Sequence, residues 1–121
     1  MAMTTLTLRT ARCAFALAVA NLVLYAASNG YSAALAEGMD RKTIKDPTTD
    51  HMSGSLHEIG LAQDIDLYDT NGVYLTKTED HTFLGEWWED YGIEHGLPLA
   101  WGGHFKQADG NHYSMRWLGR A

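Results

Sequence analysis

The sequence predicts an α+β fold in which a small antiparallel sheet is flanked by helices. Three observations predict it. Phe15, Val19, Leu22 and Tyr25 recur at helical spacing, residues 60–68 alternate between apolar and polar, and Asn71-Gly72 stands as a hairpin signal between two short strand-like runs. A length of 121 residues with 45% hydrophobic residues suits one domain with one modest core, so residues 1–121 read as a single unit.

The first helix begins near Leu8 and stops at Asn29-Gly30, a helix-ending pair. Residues 1–7 are a candidate disordered end. A second reading fits the same segment. Residues 1–36 hold Arg9 and Arg12 and no acid, a charge of +2 against −8 for the remainder. With the apolar run 14–27 and the small residues Ala34-Leu35-Ala36, this imitates a secretory signal or membrane anchor. Asn21 interrupts the run, which falls short of the roughly 20 residues a bilayer span needs. The expectation is therefore a core helix without stable membrane insertion, with export by a signal or anchor as the alternative.

A short strand is expected over 31–36, followed by the polar, irregular stretch 37–54, too long for a passive loop in a compact domain and assigned as an active-site loop. In the strand 60–68, Leu61, Ile65 and Leu67 face the core and Ala62, Asp64 and Asp66 face away. The hairpin leads into Val73-Tyr74-Leu75. Thr76 with Glu79 reads as a capping box for a helix whose Phe83, Leu84, Trp87, Trp88 and Tyr91 form a core stripe, with Gly92 as its stop. The last strand places Tyr113, Met115 and Trp117 on one side and His112, Ser114 and Arg116 on the face opposite the core.

Composition excludes several functions. The single cysteine, Cys13, permits neither an internal disulfide nor a thiolate metal cluster, so any metal is held by His and carboxylate. A net charge of −6 without a basic patch excludes nucleic acid as the expected partner. Two His and two Asp lie at or near the polar ends of predicted strands, in the stretch from Ser55 to Asp64 and in Asp109-Gly110-Asn111-His112. Zinc takes imidazole nitrogen and carboxylate oxygen, and a catalytic site keeps three protein ligands and one open position. His57, Asp64 and His112 would supply the three, Gly60 and Ala62 leave room beside them, and Asp109 is placed to act as a general base that passes a proton to the leaving nitrogen.

Ser55-x-His57-x-x-Gly60-x-Ala62-x-Asp64 followed by Asp109-x-x-His112 resembles the zinc peptidase family of D-alanyl-D-alanine carboxypeptidases, D,D-dipeptidases and phage L-alanyl-D-glutamate endopeptidases, whose fold is shared with hedgehog-type signalling domains. Five such residues in ten positions coincide by chance on the order of once in a million windows at ordinary residue frequencies. Tyr74-Leu75-Thr76, Glu79-Asp80-His81, the run 84–89, Trp101-Gly102-Gly103 and the run 109–114 look like the short phage lysis enzymes of that family. The resemblance implies one zinc peptidase domain with Zn2+ on His57, Asp64 and His112, Asp109 as catalytic base, and peptidoglycan stem peptides as substrate. It also implies an arginine ahead of the first histidine that polarises the scissile carbonyl or holds a substrate carboxylate, for which Arg41 is the candidate. A monomeric endolysin, held in the host cytoplasm until lysis and then acting on the wall, is the expected setting. The alternatives are a non-catalytic zinc-binding module of the same fold, which has no need of a base at Asp109, and a membrane-anchored accessory protein.

Ser55 fits two roles, a hydrogen bond to substrate or a turn cap. His51 falls in the loop, His95 is expected in solvent, His81 is expected to bond locally in the first helical turn, and His104 is a candidate for the cleft wall.

Overall fold

The computed structural model describes residues 6–36 and 55–121, so the expected loop 37–54, with Arg41 and His51, and residues 1–5 lie outside the described residues. The elements are α1 (Leu8–Ser28), β1 (Ser32–Leu35), β2 (Ala62–Tyr68), β3 (Tyr74–Leu75), α2 (Thr82–His95), β4 (Leu99–Trp101) and β5 (His112–Met115). All strand pairs are antiparallel, in the order β1-β2-β5-β4 with β3 also on β2. The architecture is α+β, as the periodicities predict.

Thr7 caps α1, its hydroxyl accepting from the Thr10 amide at 3.1 Å. Ala11, Phe15, Ala18, Val19, Leu22 and Ala26 are buried along one stripe of the helix. That stripe packs on α2 and β1: Phe15 meets Trp88 edge-on at 5.7 Å, and Tyr25 stacks on Trp87 at 4.9 Å. By length and composition α1 would also suffice to cross a membrane.

Three sequence expectations are corrected here. The reciprocal cap before α2 lies one residue later than Thr76 and Glu79: the Lys77 amide donates to Asp80 Oδ2 at 3.2 Å, and a 3-10 turn over Thr78–His81 precedes the helix. Gly92 does not stop α2. It sits inside the helix, where a Cβ would lie 2.7 Å from the Leu97 carbonyl oxygen, and the stop is Gly96 at φ +68°. The face of β5 opposite the core stripe is covered as well, with Phe105 packed on His112 at 5.4 Å; His112, Tyr113, Ser114 and Met115 are all buried.

His81 also departs from its expected local role. It is buried, and its Nδ1 lies 2.8 Å from the hydroxyl of Tyr113 on β5. Burial lowers its pKa, with Asp80 and Asp66 opposing. The unfolded chain therefore takes up a proton near the ordinary value of about 6.5, before the folded chain does. Stability carried by neutral His81 is complete above that pH and is lost as pH falls toward the folded value. We expect the melting temperature of His81→Gln to fall less steeply than that of the parent across this window; identical slopes in thermal melts would contradict it.

Candidate metal centre

Three separate pieces of backbone meet at the site. His57 sits in a turn anchored by Leu56 and Leu61, both buried, and closed by the Leu61 amide donating to the Leu56 carbonyl at 2.9 Å. Ser55 caps this turn, its hydroxyl accepting from the His57 amide at 3.2 Å. Asp64 is on β2 and His112 on β5, and the strand register sets the two directly opposite each other. Neighbouring residues at such positions bring their side chains within mutual reach.

The result is a triangle of ligand atoms. His57 Nε2 lies 3.2 Å from His112 Nδ1 and 3.5 Å from Asp64 Oδ1, and His112 Nδ1 lies 3.7 Å from the same oxygen. For tetrahedral zinc with bonds of about 2.0 to 2.2 Å, geometry requires ligand atoms roughly 3.3 to 3.6 Å apart. The three separations lie within about 0.1 Å of that range, so the triangle is close to the spacing that one ion would impose. Asp64 Oδ1, a corner of the triangle, is buried and has no hydrogen-bond partner among the described residues, an arrangement that costs free energy unless a ligand meets it. Two nitrogens and one carboxylate oxygen form a donor set suited to zinc.

Asp109 is held beside this triangle by the turn that leads into β5. Its amide donates to the Gly102 carbonyl at 2.9 Å, and its carbonyl accepts from the His112 amide at 3.1 Å. A Cβ at position 102 would collide with that carbonyl and with the His112 Cβ, so glycine there lets the turn close. Asp109 is exposed. Partial desolvation of its carboxyl raises its pKa, the Asp64 charge adds to the rise, and His112 opposes it.

The remaining histidines among the described residues are accounted for by structural contacts. His104 Nδ1 pairs with Glu89 Oε1 at 2.8 Å, while Glu89 Oε2 accepts from the Trp101 amide at 3.0 Å, which ties the Gly102 turn to α2. His104 is thus a partner of Glu89 and stands outside the metal triangle. His95 stacks on Tyr91 at 3.9 Å.

A cleft of about 590 Å³ opens beside His57, between the turn and α1, with Arg9, Arg12, Phe15, Val19 and Gly60 in its walls. A smaller polar cavity of about 270 Å³ lies on the other side, lined by Asp109, Thr78, Lys77 and His81. The sequence reading missed Arg9 and Arg12 as cleft residues because it weighed them only for the charge they give the alternative of a leader. Their three-residue separation on a helix, which puts both on one face, was the available signal.

The fold is shared with a solved peptidase structure. The Serratia marcescens L-Ala D-Glu endopeptidase ChiX superposes with a TM-score of 0.55 at 21% sequence identity, over 70% of this chain and 67% of that one. No family model matches the sequence, and no curated protein matches it. The likeness to ChiX concerns the fold, and the chemistry of this chain is read from its own residues.

Proposed function

We propose that the chain is a zinc-dependent peptidase acting on the stem peptides of bacterial peptidoglycan, as a monomeric lysis enzyme of phage or prophage origin. The observation that carries this reading is the His57, Asp64 and His112 triangle at zinc spacing with an acid held three residues before the last ligand. His57, Asp64 and His112 would hold the ion. Bound zinc supplies a Lewis acid that polarises the scissile carbonyl and acidifies the attacking water.

The protein's own groups do the rest. The Asp109 carboxylate takes the proton of the attacking water and delivers it to the amide nitrogen as the bond breaks. Its raised pKa narrows the gap between base and operating pH, which favours transfer in both directions. Asp64 would bring a negative charge to the bound ion and offset part of its charge, so the site would depend more on a nearby base than one built of three neutral imidazoles. Ser55 sets the His57 turn through its hydroxyl. Arg41, by the family resemblance, stabilises the negative charge developing on the carbonyl oxygen. Arg41→Ala should lower turnover by the equivalent of a few kcal/mol while leaving zinc content intact, checked by kinetics and metal analysis on the same sample.

The shared fold with an endopeptidase favours cleavage between L-Ala and D-Glu over removal of a terminal D-Ala. Synthesis in the host cytoplasm with action at the wall is the setting we assign. Purified cell walls should lose turbidity with the zinc-loaded chain and keep it when a chelator is added. Clearing at equal rates in both would refute metal dependence, and a zinc-loaded chain inert on every wall preparation would favour a zinc-binding module.

A further inference from the structure

The cleft beside His57 has a charge opposite to that of the chain around it. Residues 37–121 carry −8, yet among the described residues that line this cleft there is no Asp or Glu, and Arg9 and Arg12 both line it. Among the described residues neither arginine has an ion-pair partner. The arginines lie one turn apart on α1, so they present their charge to one place. Both are exposed, and Arg12 is the one set against the His57 turn. Gly60 has φ +76°, and a Cβ there would be 2.8 Å from Arg12 Nε, so the guanidinium rests against bare backbone three residues from the ligand His57. Phe15, Val19 and Ala62 make the rest of the wall apolar.

We propose that Arg12, supported by Arg9, binds a free carboxylate on the substrate residue that flanks the scissile bond, while the apolar wall receives the small aliphatic side chain beside it. This rests on the peptidase reading of the metal site. A guanidinium offers two parallel N–H donors that match both oxygens of a carboxylate, whereas a primary amide at the same place presents one acceptor and no charge. The cleft therefore selects wall peptides whose D-glutamyl α-carboxylate is free over those in which it is amidated. Two arginines in one cleft on an acidic chain also concentrate the anion near the His57, Asp64 and His112 triangle.

The test uses two synthetic stem peptides that differ only in that carboxylate or carboxamide, cleaved by the zinc-loaded parent, Arg12→Gln and Arg12→Lys. The parent should favour the carboxylate peptide roughly ten- to hundredfold in kcat/KM, the scale of a charged hydrogen-bonded contact. Arg12→Gln should bring the ratio near one with zinc content unchanged, the loss falling mainly on KM, and Arg12→Lys should keep part of the preference. A parent that cleaves both peptides equally, or an Arg12→Gln protein that keeps the full preference, overturns the proposal while leaving the peptidase reading intact. If the parent cleaves neither peptide, the peptidase reading fails, and calorimetric binding of the same pair decides the role of Arg12. Tighter binding of the carboxylate peptide that is lost in Arg12→Gln supports it, and equal binding by both proteins overturns it.

Discussion

Asp109→Asn is expected to retain the fold and the zinc while losing roughly a hundredfold or more in turnover, the usual scale of general acid–base catalysis. The substitution keeps the size and planarity of the side chain, and the structural work of position 109 is done by its backbone. The amide bonds to Gly102 and the carbonyl bonds to His112, and neither contact involves the carboxylate. What asparagine removes is the ability to accept a proton and return it. Turnover, zinc content and a melting curve measured on one preparation separate these effects. Unchanged turnover would reject Asp109 as the base, and lost zinc would show that its carboxylate shapes the metal site itself.

Removing a ligand should produce the second large effect. His57→Ala, Asp64→Ala or His112→Ala each leaves two donors of the triangle, and the purified protein should fall from about one zinc per chain to a small fraction. Stability should fall with it. An ion that binds the folded chain alone at a hundredfold excess over its Kd contributes about 2.7 kcal/mol. For a domain of this size that corresponds to roughly ten degrees in melting temperature. The parent treated with chelator should approach the melting temperature of the ligand variants. Metal analysis showing full occupancy in His57→Ala would remove His57 from the ligand set.

The site was legible in the sequence to the extent that it is local. The alternation of residues 60–68 put Asp64 on the face away from Leu61 and Ile65, and the ten-residue motif put His57 near the polar end of that strand. What brings Asp64 opposite His112 is the register of β2 on β5, a pairing across 48 residues that no local pattern encodes. The same limit explains the corrections. A glycine that ends a helix and a glycine that admits a neighbouring backbone are the same letter, and Gly92 belongs to the second kind because of Leu97 and Leu99 beyond the helix. Alternation told which residues of β5 share a face, but burial of the second face depends on Phe105, from the loop after β4, packing on His112. Arg12 stood in a segment whose charge and apolarity also suit a leader, so its place beside Gly60 emerges only once α1 packs against the His57 turn.

The most direct test of the account is digestion of purified peptidoglycan by the zinc-loaded chain, followed by mass spectrometry of the new termini. The account predicts new peptide termini within the stem, at the bond between L-Ala and D-Glu, that are absent in the chelated control and strongly reduced with Asp109→Asn. A zinc-loaded chain that generates no new peptide terminus, or an Asp109→Asn protein that generates them as fast as the parent, would contradict it.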